Sequence, residues 1–389
     1  MRHSVSDSAP AQLFTPRFFL MCGFSFTVFL SAFQLLPVAP YRILALGGTA
    51  AVAGLFLGFL TYSSAGSAPL TGTLVDRFGP RRILIVASLS ITVFSLIYAL
   101  LSSYHLMLAL VIVHGLFWSG LLSASATYVT ALVPASRRAE GVGYWGLSTV
   151  LAVSVAPTIG LWVYSRGGWW AMCVEAACLN LVMGAIAWAL PPDAPRSAPA
   201  RRISLATLLE WRVLVLSITL FLYAFGYGGL TSFVALYTDQ NGVTPRALYF
   251  TVFCLSTIAT RPFIGRLADR VGYRRIFLPC VVLIVIGFAL LAVGGSRPIL
   301  IVSAIVFGIG FGSAYPAYLG HVLRFVDEGR RGAAFGSIIG AFDTGIGTGS
   351  IVMGMIIERL GFTHAWLTAA ALAALAIPFF LAVERRMLG

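Results

Sequence analysis

The sequence predicts an all-α polytopic membrane protein with twelve transmembrane helices in two pseudo-symmetric six-helix bundles. Three observations support this: strong hydropathy, apolar runs of membrane-spanning length, and a repeat between the two halves. The 389 residues are 59% hydrophobic and only 10% charged, with a mean hydropathy of +0.93. Soluble domains carry about 25% charged residues, so this composition excludes a soluble globular protein.

Apolar runs long enough to cross about 30 Å of hydrocarbon as helices occur along the whole chain. The predicted spans of the first half are residues 17–38, 46–68, 83–103, 106–133, 141–164 and 169–190. Those of the second half are residues 212–237, 247–266, 275–294, 298–323, 332–357 and 364–383. We therefore predict an N-terminal bundle (1–190), a polar, Pro-rich cytoplasmic linker (191–211) and a C-terminal bundle (212–389).

All 26 basic residues are arginine, and the net charge is +13. The absence of lysine excludes a Walker-type phosphate loop and a lysine Schiff base. If both termini are cytoplasmic, twenty arginines lie on the cytoplasmic side, five lie outside, and Arg261 lies within a span. This asymmetry follows the positive-inside rule. We therefore predict a multi-pass inner-membrane protein with both termini cytoplasmic and no nucleic-acid partner.

Cysteines and glycine runs give no sign of a metal or a cofactor. The five cysteines fall inside apolar runs, and no His, Cys and carboxylate cluster has metal-ligand spacing. Two G-x-G-x-G runs, at 308–312 and 345–349, lie within predicted spans and do not follow strands. They therefore predict close helix packing and not a dinucleotide site.

The two halves of the chain repeat each other at an offset of 193 residues. Pro69–Arg82 reads P-L-T-G-T-L-V-D-R-F-G-P-R-R, and Pro262–Arg275 reads P-F-I-G-R-L-A-D-R-V-G-Y-R-R. The pair Arg137-Arg138 recurs at the same offset as Arg330-Arg331. Parallel repeats of this kind predict a substrate site near the membrane midplane, between the halves.

Both repeated segments closely resemble the G-x-L-x-D-R-x-G-x-[RK]-[RK] loop of the major facilitator superfamily. The resemblance implies that these loops, between spans 2 and 3 and between spans 8 and 9, act as conformational switches. The implied switch residues are Gly72, Asp76, Arg77, Gly79, Arg81, Gly265, Asp269, Arg270, Gly272 and Arg274.

The stretch from His114 to Trp162 resembles bacterial proton-driven drug exporters of the same superfamily. Two positions depart from those exporters. Ala156-Pro157 stands where they usually carry Gly-Pro, and Val111 stands where they usually carry an arginine. The second departure argues against arginine-based coupling at that position.

Two charged residues are predicted deep inside spans, where each costs at least about 2.5–3.5 kcal/mol at a helix centre. Asp343 lies near the middle of span 11, and its repeat mate is the apolar Val150. Arg261 lies in span 8, and its repeat mate is Ala68. We expect Asp343 to be the proton-coupling carboxylate. Arg261 has three open roles: pairing with Asp343, binding an anionic substrate, or extending to the cytoplasmic interface.

Other polar and aromatic residues are weaker site candidates. His114 in span 4 titrates in the physiological range, which suits proton coupling, although a structural hydrogen bond is an open alternative. We expect Glu175 in span 6 to be structural or interfacial. In the superfamily, spans 1, 4, 7 and 10 line the cavity, and their candidate lining residues here are Gln34, Trp118, Tyr223, Tyr227, Tyr315 and Tyr318.

The sequence as a whole predicts a secondary active transporter that works by alternating access and is not an enzyme. Proton-coupled export of small amphipathic molecules is the leading hypothesis. The alternative is uptake or exchange of a small organic anion held by Arg261, and a remote one is a non-transporting sensor. The expected partners are a small-molecule substrate, protons and the lipid bilayer of a bacterial inner membrane, with the protein as a monomer.

Overall fold

A computed structural model describes residues 13–134, 137–192, 210–327 and 330–388, and within these ranges it contains helices and no strand. The first four helices are α1 (Pro16–Ala45), α2 (Ala50–Phe78), α3 (Pro80–Leu100) and α4 (Tyr104–Leu132). The next helical element, Arg138–Ala189, is interrupted at Gly168, whose φ of 67° and ψ of −165° are not helical. We number its two parts α5 (138–167) and α6 (169–189).

The second half begins with the short helix Trp211–Leu216 and continues with six long helices. These are α7 (Ile218–Gln240), α8 (Leu248–Val271), α9 (Tyr273–Val293), α10 (Arg297–Val322), α11 (Arg331–Leu360) and α12 (Phe362–Leu388). Most of the predicted linker 191–211, namely residues 193–209, lies outside the described residues.

Length and hydropathy make these helices membrane spans. Ten helical elements in the described ranges are long and apolar enough to cross a bilayer. One of them, Gly141–Ala189, is divided into two spans at Gly168, and α8 contains the shorter apolar helix Leu248–Arg261. The prediction of a twelve-helix polytopic protein in two six-helix halves is therefore confirmed.

Helices α2 and α8 extend beyond their predicted spans. α2 continues to Phe78, past the predicted end at 68, and α8 continues to Val271, past 266. The predicted spans are bounded by charged residues or by Gly and Pro clusters, but neither Pro69 in α2 nor Arg266 in α8 ends its helix. Gly79 and Gly272 end these two helices with φ angles of 86° and 94°, a left-handed conformation that favours glycine.

Glycines allow the helices to approach one another closely. In α10, Gly308 and Gly312 lie against α8, and Gly310 lies against α9. In α11, Gly345 and Gly349 lie against α7. The prediction that both G-x-G-x-G runs serve close helix packing is therefore confirmed.

Candidate functional site

Helices α2 and α11 join the two halves through a tightly packed stripe of glycines. A Cβ atom at any of four glycines would collide with the opposite half; these are Gly54, Gly58, Gly347 and Gly354, which we call the glycine seal. The Ser350 hydroxyl donates to the Gly54 carbonyl at 2.9 Å. Because small residues let helix backbones meet in a membrane, this stripe closes the space between the halves at one end.

A second contact between the halves is the symmetry mate of the first. Gly58 of α2 faces Ile351 of α11. At the 193-residue offset these positions correspond to Thr251 of α8 and Thr158 of α5, whose hydroxyls lie 3.2 Å apart. The pseudo-two-fold axis predicted from the repeat therefore relates the α2–α11 contact to the α5–α8 contact.

Two carboxylates of the C-terminal half, Asp239 and Glu358, accept hydrogen bonds from the N-terminal half at the same end of the molecule, and we call these contacts together the outer latch. The Tyr41 hydroxyl of α1 donates to Asp239 Oδ2 of α7 at 3.1 Å, and Arg246 Nε pairs with the same oxygen at 2.8 Å. The Arg246 guanidinium also lies 5.2 Å from the centre of the Tyr41 ring. Glu358 of α11 accepts the Ala51 backbone N–H at the start of α2 at 3.0 Å, where the helix dipole favours an acid.

At the opposite end, which carries the two motif loops, α2 and α11 move apart. Gly340 lies about two turns from Gly347 on the same face of α11, yet a Cβ there would have no atom within 4 Å. Gly66 of α2 likewise has nothing within 4 Å. Between described side chains, the hydrogen bonds that join the halves all lie in the sealed part of the molecule. Among the described residues, α2 and α11 are therefore less closely packed toward the motif loops than in the glycine seal, and we call this wider space the opening.

Asp343 lies where this opening begins. It is one helical turn from Gly347, on the face of α11 that packs against α2 in the glycine seal. The side chain is half-buried and, within the described part of the chain, forms neither a hydrogen bond nor an ion pair. Tyr315 of α10 lies within electrostatic range of the carboxylate, and its ring centre is 5.0 Å from that of Phe342. Asp343 is thus an unpaired acid beside an aromatic surface.

Arg261 lines a separate opening within the C-terminal half. A cavity of about 230 Å³ lies between α8 and α10 and is bordered by Arg261, Ile264, Ala268, Tyr273, Gly312, Ser313, Pro316 and Ala317. The guanidinium is half-buried and has no ion pair among the described residues. In this state Arg261 does not pair with Asp343, so the first of its three open roles is not seen. Its charge faces a cavity large enough for a small ligand.

His114 and Gln34 lie inside the N-terminal half and not between the halves. His114 is buried, and its Nδ1 is 3.5 Å from the Tyr98 hydroxyl of α3. Gln34 is fully buried and donates to Glu175 of α6 at 3.2 Å. Trp118 is half-buried, with its ring 5.3 Å from the ring of Phe29. His114 thus has a hydrogen-bond partner on a neighbouring helix in this state, and its part in proton coupling stays a prediction.

The four tyrosine candidates divide into one half-buried residue and three buried ones. Tyr315 is the half-buried one, next to Asp343. Tyr318 is fully buried with its hydroxyl 3.0 Å from that of Ser217, and Tyr227 stacks on Phe311 at 4.1 Å. Tyr223 is also fully buried. These three lie in the interior of the C-terminal half in this state. Their rings pack against shared phenylalanines, Phe277 for Tyr223 and Tyr318 and Phe311 for Tyr223 and Tyr227.

The motif loops have closely similar backbones and different anchors. Arg81 Nη2 donates to the Trp188 carbonyl at 2.5 Å, whereas Arg274 Nε donates to Glu384 Oε2 at 2.7 Å. Asp76, Arg77 and Arg270 are exposed. A Cβ at Gly72 would meet nothing within 4 Å. The side-chain surroundings of Gly265 and Asp269 lie outside what the structure describes.

Sequence reasoning missed the glycine seal and the outer latch. The latch acids had a signal, because Asp239 and Glu358 are two of only 13 acidic residues and both lie at helix ends. Their partners had none, since Tyr41 and Ala51 are 198 and 307 positions away.

Comparison with known proteins agrees with this architecture. The Major Facilitator Superfamily profile matches residues 20–249 and 216–387. The uncharacterized MFS-type transporter YhhS of Escherichia coli K12 is 23% identical over 363 residues, which cover 91% of this chain and 89% of that protein.

Two solved structures share the fold. The crystal structure of the nucleoside transporter NupG has a TM-score of 0.74 at 17% identity, covering 95% of this chain and 100% of that one. A bacterial homologue of the human lysosomal transporter Spinster, solved in an inward-facing and unoccupied conformation, has a TM-score of 0.76 at 14% identity, with 98% of each chain covered. The chain belongs to the major facilitator superfamily, a family of membrane transporters that bind small-molecule substrates and are not enzymes.

Proposed function

We propose that this protein is a proton-coupled secondary transporter that exports small amphipathic molecules by alternating access, with Asp343 as the residue that binds the proton. One observation carries the proposal: Asp343 lies one turn from the glycine seal, unpaired, at the point where the halves separate. A group at that position experiences any change in the opening directly.

The position of Asp343 links its proton to the access state. An ionised carboxylate without a partner is costly at this depth in a membrane, and contact with water lowers that cost. We propose that in this state water reaches the half-buried Asp343 through the opening toward the motif loops. When the halves close over Asp343, the cost of an unpaired charge returns, so closing favours the protonated side chain. Proton occupancy and access are then two sides of one equilibrium.

The surroundings of Asp343 suit a substrate with an aromatic or apolar part. The rings of Tyr315, Phe342 and Phe311 form a continuous aromatic surface, with ring centres 5.0 Å and 6.1 Å apart for the two pairs that include Phe342. Aromatic surfaces of this kind bind planar or amphipathic molecules through stacking and apolar contact. We propose that the substrate lies between this surface and α2.

The membrane orientation completes the proposal. The arginine distribution supports a cytoplasmic position of the motif loops, and with that orientation the opening would face the cytoplasm and the outer latch the periplasm. We propose that the protein works as a monomer in a bacterial inner membrane, with both termini cytoplasmic. The motif loops, including Asp76 and Arg77, would come together when the open end closes.

A second candidate function is transport of a small organic anion, and the unpaired Arg261 favours it. A guanidinium without a partner in a 230 Å³ cavity can bind a carboxylate through two parallel hydrogen bonds. Arg261→Gln would then abolish transport of monocarboxylates and leave transport of uncharged and cationic amphipathic compounds unchanged. If Arg261→Gln transported monocarboxylates as fast as the wild type does, this candidate function would be eliminated.

The leading proposal is tested with purified protein in proteoliposomes and a panel of amphipathic substrates. Asp343→Asn mimics the protonated side chain, so we expect it to retain substrate counterflow and to lose accumulation driven by a proton gradient. Asp327→Asn is the matched control, because Asp327 is an exposed acid between α10 and α11 and should behave as wild type. Full gradient-driven accumulation by Asp343→Asn would contradict the proposal.

A further inference from the structure

The interface between α1 and α6 contains a buried polar pair that lacks one proton. Gln34 is fully buried, and its Nε2 donates to Glu175 Oε1 at 3.2 Å. The other oxygen of each group, Gln34 Oε1 and Glu175 Oε2, is also buried and has no hydrogen-bond partner in the described part of the chain. An amide oxygen and an ionised carboxylate oxygen both accept hydrogen bonds and cannot donate one. An ionised Glu175 would therefore leave two buried acceptors unsatisfied.

No positive group on the neighbouring helices compensates Glu175. Arg42, two turns along α1, donates its Nη2 to the Leu101 carbonyl at 2.8 Å. On α3, the Tyr98 hydroxyl lies beside Nδ1 of His114, which comes from α4. Among the described residues, neither an ion pair nor a second hydrogen-bond donor reaches Glu175. Cys173, two residues before Glu175 on α6, carries no positive charge.

We infer that Glu175 is a proton-binding site of the N-terminal half, separate from Asp343, and that its protonated form makes a cyclic pair with Gln34. One proton on Glu175 Oε2 satisfies both unpaired atoms. The carboxyl O–H donates to the amide oxygen, while the amide N–H donates to the carboxyl oxygen. A buried polar pair is stable when every member is satisfied, and this pair then carries no net charge in the membrane.

The packing around the pair keeps it in place. A Cβ at Gly160 of α5 would lie 2.7 Å from the Gln34 carbonyl oxygen, so α5 holds the backbone of α1 at this position. On α6, Asn180 donates to Ser95 of α3 at 3.0 Å. Because both helices are fixed, Gln34 has little room to turn away from Glu175. Loss of the proton would therefore place an uncompensated charge between α1 and α6 and weaken their packing.

Linkage gives the sign of the effect. A carboxyl group that holds its proton more tightly in the folded protein than in the unfolded chain loses its stabilising contribution as the pH rises. We expect the wild-type melting temperature in detergent to fall from acidic to alkaline pH. Glu175→Gln replaces the carboxyl O–H with an amide N–H that can donate to Gln34 Oε1, so this variant should lose that part of the pH dependence. Asp343→Asn should keep it.

A second measurement does not depend on how well a variant folds. Infrared difference spectra of the wild type between acidic and alkaline pH should contain a protonated-carboxyl band that disappears in Glu175→Gln and persists in Asp343→Asn. Gln34→Leu should shift the pH at which this band is lost, because the amide partner is gone. A Glu175→Gln protein with the wild-type band and the wild-type pH dependence of melting would overturn the inference. That result would not affect the proposal for Asp343, because the two residues are tested with separate variants.

Discussion

The two halves place different chemistry at equivalent positions of the same helix pairs. Between α2 and α4, the Thr71 hydroxyl lies 3.0 Å from Ser119 and 3.4 Å from Ser123, so the helices are joined by hydrogen bonds. The equivalent residues between α8 and α10 are Ile264, Gly312 and Pro316, and they border the cavity that Arg261 faces. The equivalent helix pair is thus joined by hydrogen bonds in the N-terminal half and separated by a cavity lined by Arg261 in the C-terminal half.

The ends of these bundles near the motif loops show the same contrast. In the N-terminal half, Arg81 donates to the Trp188 carbonyl and Tyr128 donates to the Pro191 carbonyl at 3.3 Å. At the 193-residue offset, Tyr128 corresponds to His321 and Pro191 to Glu384. His321 Nε2 lies 2.6 Å from Glu384 Oε1, and Arg274 Nε lies 2.7 Å from Glu384 Oε2.

The repeat therefore preserves the position of a contact and not its chemistry. A backbone carbonyl accepts at one end of the N-terminal half, and a carboxylate accepts at the corresponding place in the C-terminal half. Backbone acceptors are insensitive to substitution, whereas a side-chain acceptor can be removed. A substitution at this end should therefore destabilise the C-terminal half more than the N-terminal half.

The largest effect is expected for Glu384→Gln. The substitution removes the negative charge that Arg274 and His321 share, and hydrogen bonds to charged groups contribute about 1.5–3 kcal/mol each where they are buried. Arg274 is 43% exposed, so solvent weakens its contact with Glu384. We therefore expect the free energy of unfolding to fall by about 1–3 kcal/mol in total. Thermal unfolding in detergent measures it. A melting temperature equal to that of the wild type would show that the carboxylate does not stabilise this end.

A smaller effect is expected for Tyr128→Phe, the counterpart in the N-terminal half. It removes the neutral hydrogen bond to the Pro191 carbonyl, which is worth about 0.5–1.5 kcal/mol, and it leaves the Arg81 anchor in place. The same thermal measurement should rank Tyr128→Phe closer to the wild type than Glu384→Gln. The reverse order would contradict the contrast between the carbonyl acceptor of Tyr128 and the carboxylate acceptor of His321.

Much of the fold followed from sequence because its signals are local or periodic. Apolar runs gave the twelve spans, and the 193-residue repeat gave the two halves. Asp343 and Arg261 were identifiable because a charge inside an apolar run is costly and their repeat mates are apolar. The glycine runs correctly predicted close packing of α10 and α11.

Contacts between distant side chains were beyond the reach of the sequence. The candidates His114 and Gln34 lie on helices that line the cavity in the superfamily, but the rotation of each helix turns them into the N-terminal bundle. A single sequence gives the helix more readily than its rotation about its own axis, and in α4, which carries His114, the apolar residues favour no one side strongly. The contacts of the outer latch that cross between the halves, Tyr41 with Asp239 and Ala51 with Glu358, form only when the two halves meet, so no local pattern marks Tyr41.

The central claim is that protonation of Asp343 and closure of the opening are one linked equilibrium. Spin labels can be attached at Phe78→Cys and Phe325→Cys, two exposed positions at the open end of opposite halves. The distance between the labels, measured by double electron–electron resonance, reports the closure of the opening. The labels are placed in a protein whose five native cysteines have been replaced. We predict that the distance between the labels shifts with pH in the labelled protein that retains Asp343. In the labelled Asp343→Asn variant, the distance distribution should match the low-pH distribution at every pH. A pH-dependent shift of equal size in Asp343→Asn would contradict the account.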